Sequence, residues 1–88
     1  MDIKDLRFFV AVYETKGFSR ASAQLGTVQS NVSARIGSLE ELLGVSLFDR
    51  QYRKIAPTES ADRLYQHAKV VLASFEHTKL LLKPRPVE

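Results

Sequence analysis

Apolar side chains recur at spacings of three and four residues in the first part of the chain, a period typical of helices packed on a core. The first helix is predicted to begin after Asp2, whose carboxylate suits an N-cap, and to end near Thr15. Gly17 is expected to supply the left-handed conformation that ends this helix. The second helix is expected to begin with Ser19 as its N-cap and with Phe18 packed just before it. The apolar stripe of the first helix consists of Ile3, Leu6, Phe9, Val10 and Tyr13.

A turn at Gly26 and Thr27 separates the short second helix from a longer third helix, which is predicted to end at Gly44. The inner face of the third helix is apolar and consists of Val32, Ile36, Leu39 and Leu43. The opposite face carries small residues, namely Ser30, Ser33, Ala34 and Gly37, and is flanked by Gln29, Asn31 and Arg35. A helix that lies close against a grooved partner needs such a face. The pattern therefore indicates a helix-turn-helix that reads DNA.

After the third helix the sequence period changes to one typical of strands. Residues 45–48 are apolar and β-prone, residues 49–54 are polar and basic, and residues 55–56 are apolar again. This pattern predicts two short strands joined by a turn, which form a β-wing. The turn contains the densest positive charge of the chain, from Arg50, Arg53 and Lys54.

A long fourth helix is predicted from Thr58, a good N-cap, to about Lys83, where Pro84 follows. Its heptad stripe is longer than a domain of this size needs to cover itself, so the helix is expected to pair with another helix in a homodimer. The first turns, residues 61–68, are expected to pack in part on the chain's own core. The predicted dimer interface consists of Leu64, Ala68, Val71, Leu72, Phe75 and Leu82.

Composition narrows the possible functions further. With 88 residues the chain is long enough for one domain with a modest core, and its net charge of +3 is compatible with a polyanionic partner without proving one. The absence of cysteine excludes disulfides and thiolate metal sites. No apolar run is long enough to span a bilayer and no signal peptide is recognisable, so a cytoplasmic location is expected.

Catalysis is not expected from this sequence. His67 and His77 are ten residues apart on one helix, about 15 Å along its axis, so they cannot share a metal ion. The sequence has no glycine-rich phosphate loop and no nucleophile elbow. No catalytic residue, metal site or cofactor is predicted.

Several motifs in a fixed order resemble one known family. They are DLRFFVAVYETKGFSRAS near the N-terminus, then Gln29, Ser33, Ile36 and Leu39-Glu40, then LGVSLFDR at residues 43–50, and finally Thr58-Glu59. Over essentially the whole chain, the sequence resembles the DNA-binding domain and linker helix of LysR-type transcriptional regulators.

This resemblance implies a mainly α fold with a small β-wing, a winged helix-turn-helix followed by a long dimerisation helix. It places the DNA-binding domain at residues 1–57, the linker helix at residues 58–83 and the start of a hinge at residues 84–88. Family members form dimers or tetramers and carry a C-terminal effector-binding domain, through which alone a small-molecule effector is expected to act. The chain is therefore expected to be an excised fragment or a natural short form.

The resemblance also implies contact residues. Gln29, Ser30 and Ser33 fall where the family contacts bases and phosphates, and Arg50 and Arg53 fall where its wing contacts DNA. The whole predicted DNA-binding set is Ser19, Arg20, Gln29, Ser30, Asn31, Ser33, Ala34, Arg35, Arg50, Arg53 and Lys54.

Four features depart from the family pattern. Thr27 and Val28 replace an apolar residue followed by serine, which predicts that the third helix starts one residue early. Asn31 stands where proline or a small apolar residue is common, and Lys54 replaces a common wing glycine. Arginine usually follows Ser33, but here Ala34 intervenes, so the arginine is shifted to Arg35. A shift of about 100° moves it towards the core face, where a phosphate contact is expected rather than a guanine contact.

Two functions are consistent with the sequence. The first is sequence-specific binding of double-stranded DNA by a dimer that reads an interrupted inverted repeat, with the third helix in the major groove and the wing on the minor groove or backbone. The alternative is a protein-protein interaction module that uses the same helices without reading DNA. A strong dependence of binding on salt distinguishes DNA binding from an apolar protein interface.

Overall fold

The computed structural model describes residues 1–51 and 54–84. Within them the chain forms four helices and a two-stranded sheet, in the order α1 Ile3–Thr15, α2 Phe18–Leu25, α3 Gln29–Leu43, β1 Phe48–Gln51, β2 Lys54–Pro57 and α4 Glu59–Leu81. This arrangement confirms the predicted mainly α fold with a small β-wing. No helix in the described residues combines the length and the apolar character needed to cross a membrane.

The predicted N-cap of α1 is confirmed. The Asp2 carboxylate accepts a hydrogen bond from the Asp5 backbone N–H at 2.8 Å, and the Asp5 carboxylate accepts one from the Asp2 backbone N–H at 3.0 Å. These reciprocal bonds form a capping box at the start of α1. The hydrogen bond from the Asp5 N–H lowers the pKa of the Asp2 carboxyl below its usual value.

The connection between α1 and α2 differs from the prediction at two positions. Lys16, and not Gly17, takes the left-handed conformation, with φ 59° and ψ 33°. Gly17 is extended and is the N-cap of α2, so the helix begins at Phe18 and Ser19 is already helical. The two-residue connection explains the shift, because the residue that ends α1 must be followed at once by the extended residue that begins α2.

The hydrophobic core lies where α1, α2 and α3 cross and where the sheet and the first turns of α4 cover them. Its largest fully buried side chains are Phe9, Ile36, Leu47, Val12 and Val32. The ring of Phe48 from β1 lies 5.7 Å from that of Phe9 and 6.1 Å from that of Phe18. These contacts join the start of β1 to the helical core.

Two features of α3 correct the prediction. The helix begins at Gln29 with Val28 as an N-cap that offers no side-chain hydrogen bond, so it does not start one residue early. The Thr27 hydroxyl instead accepts a hydrogen bond from the Asn31 side-chain amide at 3.0 Å. Leu43 was expected on the inner face but is 38% exposed, because the core ends at Leu39.

The first strand of the wing lies further along the chain than predicted, and the second extends one residue beyond the predicted one at each end. Strand β1 begins at Phe48 and contains part of the segment expected to form the turn, whereas residues 45–47 are not in a strand. The antiparallel register pairs Phe48 with Pro57 and Gln51 with Lys54. The Glu40 carboxylate on α3 explains why residues 46–47 do not extend the strand, since its Oε2 atom accepts the Leu47 backbone N–H at 2.7 Å.

Helix α4 is capped by Thr58, as predicted, whose hydroxyl accepts the Ala61 backbone N–H at 3.1 Å. Its first half packs on α1, where the rings of Tyr13 and Tyr65 stack with their centroids 4.0 Å apart. Ala68 is 1% exposed, so the chain's own core occupies a position that was predicted to contact a second copy. Leu64 and Leu72 are partly buried against the same core.

Candidate nucleic-acid interface

An open groove lies between the start of α2, the start of α3 and the β-wing. None of the described residues that line it carries a negative charge, whereas four of them are lysine or arginine. The lining residues are Lys16, Gly17, Phe18, Ser19, Arg20, Gln29, Ser33, Arg50, Lys54 and Ile55. A groove with cations on two walls and short polar side chains on a third suits a polyanion with readable polar edges.

The first wall is the connection from α1 to α2. The left-handed backbone at Lys16 turns the chain so that Lys16, Ser19 and Arg20 all reach the groove. The Arg20 guanidinium donates a hydrogen bond to the Thr15 backbone carbonyl at 3.3 Å, and its aliphatic carbons lie beside Gly17. Arg20 is thereby held near the end of α1 instead of extending freely into solvent.

The second wall is the β-wing. The Arg50 guanidinium lies over the Phe18 ring, 4.5 Å from its centroid, and its Nη2 atom is 4.0 Å from Glu40 Oε1. The aromatic face and the carboxylate restrict where this cation can lie. Lys54, opposite Gln51 in the sheet, is exposed on the same wall.

The floor of the groove is the first turn and a half of α3. Gln29 is exposed and Ser33 is half-buried, and both line the groove. Ser30, Asn31 and Ala34 are exposed on the same helix outside the groove lining. The uncapped start of α3 and its small side chains leave the helix surface accessible to a close partner.

Arg35 has a different environment from the one expected of a phosphate contact. Its Nη1 atom donates a hydrogen bond to Asp5 Oδ1 at 2.9 Å, and its guanidinium lies 5.0 Å from the centroid of the Phe8 ring. The predicted contact of Arg53 falls outside the described residues.

The sequence reasoning missed Lys16 as a member of the basic set. The sequence signal for Lys16 was its place directly before a glycine at the end of a helix. Gly17 was predicted to take the left-handed conformation there, but Lys16 takes it. Phe18 was expected only as packing, yet its ring also supports Arg50.

These features define a winged helix-turn-helix whose basic groove runs alongside an accessible helix. The model of the bacterial regulatory helix-turn-helix protein, lysR family, matches residues 3–62. The Hca operon transcriptional activator HcaR of Escherichia coli (strain K12) is 39% identical over 80 residues, which cover 91% of this chain and 27% of that protein. The chain therefore belongs to the LysR family, and HcaR is a transcriptional activator.

Solved structures agree with this assignment. The BenM_DBD/benA site 1 DNA complex matches with a TM-score of 0.88 and 33% identity, covering 92% of this chain and 91% of that one. Full-length BenM matches with a TM-score of 0.88 and 32% identity, covering 99% of this chain and 29% of that one. The chain spans about a quarter of the length of HcaR and of full-length BenM.

Proposed function

We propose that this chain binds double-stranded DNA in a sequence-specific manner, with α3 in the major groove and the wing on the adjacent minor groove or backbone. The supporting observation is the groove itself, in which Lys16, Arg20, Arg50 and Lys54 surround Gln29 and Ser33. In this arrangement the four cations contact phosphates and fix the register, while the two polar side chains on α3 read base edges. Ser19 lines the same groove, and Ser30, Asn31 and Ala34 then lie at the periphery of the contact.

The proposal extends to a dimer that reads an interrupted inverted repeat in the bacterial cytoplasm. Two copies related by a twofold axis present two α3 helices, so each reads one half of a symmetric site. The neighbouring structures support DNA as the partner, since the BenM_DBD chain in two of them is in a DNA complex. The family resemblance implies that a larger assembly and a small-molecule effector act through a C-terminal effector-binding domain.

Salt dependence tests DNA binding against the protein-interaction alternative. If each of the four described groove cations meets one phosphate, a dimer neutralises about eight phosphates, and the plot of log K against log salt has a slope of about −7. The affinity is measured by fluorescence anisotropy with a labelled duplex at several salt concentrations. A slope close to zero contradicts the proposal and favours the interaction module.

The second half of α4 supports dimerisation. Val71 is 42% exposed, Phe75 is 40% exposed and Leu82 is 78% exposed, and the three lie on one side of the helix. Apolar side chains in a row at this exposure are typical of a helix that pairs with another. We place the partner's α4 antiparallel on this stripe, as the family resemblance implies.

The double variant Val71→Glu with Phe75→Glu tests the dimer. Burial of the exposed part of each side chain is worth about 1 kcal/mol, so removing four of them from a symmetric pair weakens dimerisation by about a thousandfold. Sedimentation equilibrium should show folded monomers with weak DNA binding. The control variant carries Gln66→Glu and Ala73→Glu on the opposite side of α4 and should remain dimeric. An unchanged dimer in the test variant contradicts the placement of the interface.

A further inference from the structure

Arg35 and Asp5 form an ion pair that joins two helices 30 positions apart in sequence. The Nη1 to Oδ1 distance is 2.9 Å, and the two side chains are only 28% and 22% exposed. The guanidinium also lies against the Phe8 ring on α1, with 5.0 Å to the ring centroid. A pair shielded to this degree is screened less by solvent than the exposed pair between Arg63 and Glu59 on α4.

Hydrogen bonds to Asp2 hold Asp5 in place, in addition to its bond with Arg35. Its Oδ2 atom accepts the Asp2 backbone N–H at 3.0 Å, and its own backbone N–H is bound to the Asp2 carboxylate. Its second carboxylate oxygen therefore faces α3 from a fixed point at the start of α1. This is the geometry of an anchor and not of a mobile surface side chain.

The Arg35 guanidinium is held on the α1 side by this ion pair and by Phe8. Its Nε atom is buried and has no hydrogen-bond partner among the described residues, so the bond from Nη1 to Asp5 is the hydrogen bond found for this guanidinium there. Turning the side chain outwards to a phosphate requires breaking both the ion pair and the contact with Phe8. The proposed base-reading residues on α3 need a fixed rotation of that helix, and Arg35 makes a directional side-chain hydrogen bond from α3 to α1.

We propose that Arg35 is a positioning residue for sequence reading: its pair with Asp5 fixes the rotation of α3 about its own axis, so that Gln29 and Ser33 face the DNA. Arg35 makes no phosphate contact of its own. The inference rests on the proposed DNA-binding function and assigns a specific task to the arginine that is displaced from its usual family position. The buried side chains of Val32 and Ile36 seat α3 on the core, and the ion pair adds a directional contact that maintains this rotation.

The test compares Asp5→Asn, Arg35→Gln and the double variant with the unchanged chain. A duplex obtained by selection from a random DNA pool and a scrambled duplex of equal length serve as probes. Each single variant is expected to lower the ratio of the two affinities about tenfold, as one misread base pair does, while the salt slope stays the same. The double variant should lose no more than either single one, because both remove the same interaction. Arg35→Lys should restore part of the ratio.

The control is Arg63→Gln, which removes an arginine from an exposed pair and should change neither quantity. All measurements are made below the melting temperature of the least stable variant, so a loss of discrimination is not caused by unfolding. The inference is overturned if Arg35→Gln weakens binding to both duplexes equally and makes the salt slope shallower, while Asp5→Asn does not. That result identifies a phosphate contact. If the unchanged chain fails to distinguish the duplexes, the proposed function itself is wrong, which is a separate and recognisable outcome.

Discussion

Replacing Lys16 with glycine is expected to stabilise the chain and to weaken DNA binding at the same time. Lys16 is the only non-glycine residue with positive φ in the described part of the chain, and it lines the basic groove. An L side chain in this conformation costs about 1–2 kcal/mol. Strained residues of this kind are common at functional sites, where the side chain contributes more than its conformation costs.

The net gain in stability can be worked out from two terms. Lys16→Gly removes the left-handed penalty, but the greater freedom of glycine in the unfolded chain takes back about 0.5–1 kcal/mol. The free energy of unfolding should therefore rise by about 0.5–1 kcal/mol, which corresponds to an increase in Tm of about 4 °C for a domain of this size. In the DNA assay a dimer loses two phosphate contacts, so the salt slope should become shallower by about two.

The matched variant Lys16→Ala separates the two effects. Alanine removes the charge but keeps the energetic cost of the left-handed conformation. The DNA affinity should therefore fall and the salt slope become shallower, as for the glycine variant, while Tm should not rise. Both variants are melted at the same protein concentration, because dimerisation contributes to Tm. If glycine gives no higher Tm than alanine, the argument from strain is refuted. If neither variant weakens DNA binding, Lys16 does not contact the ligand.

Three further predictions concern the wing, the division of labour in the groove and the stacked tyrosines. Glu40→Ala should destabilise the chain by about 2 kcal/mol in chemical denaturation, because backbone N–H groups after α3 lose their acceptor. Arg53→Ala should weaken binding to all sequences about equally, whereas Ser33→Ala should alter the preference among selected duplexes. Hydrogen bonds to carboxylates raise the pKa of Tyr13 and Tyr65 above the usual 10.0. The two tyrosines therefore stabilise the fold below pH 10.0, and this stability is lost as the pH rises through the raised pKa values of the folded chain. Their double Phe variant should show a smaller alkaline loss of stability.

Each of these predictions has a result that contradicts it. The neighbouring and exposed Glu41 is the control for Glu40, and equal effects of the two alanine variants show that the acceptor role is unimportant. If Ser33→Ala and Arg53→Ala both weaken every duplex alike, the separation of base readers from phosphate contacts fails. An alkaline loss that is as large in the Phe variant as in the unchanged chain shows that other groups cause it.

Long periodic patterns predicted the helices well. The stripes on α1 and α3, the Asp2 and Thr58 caps and the Gly44 terminus follow from local rules that act within one turn. The boundaries that failed have two causes: the connection between α1 and α2 is only two residues long, and a side chain of α3 binds the backbone that precedes β1. Strand β1 starts late because the Glu40 carboxylate binds the preceding backbone, and no local propensity records this contact.

Six of the residues predicted to bind DNA line one groove, which leaves their contact with DNA a prediction, whereas tertiary contacts redirect the side chain of Arg35. Ser19, Arg20, Gln29, Ser33, Arg50 and Lys54 all line the groove. Helical periodicity placed Arg35 near the core face correctly, but it could not show that Asp5 on another helix occupies its guanidinium. Periodicity also identified the α4 stripe without showing that Ala68 is covered by the chain's own core.

Selection of bound duplexes from a random DNA pool tests most directly whether this groove reads sequence. The chain should enrich an inverted repeat whose half-sites are about 10 bp apart, centre to centre, or a multiple of that distance, because one α3 of a symmetric dimer reads each half-site. Pools that show no enrichment after repeated rounds, or that converge on a single site without symmetry, contradict a dimer that reads DNA through α3.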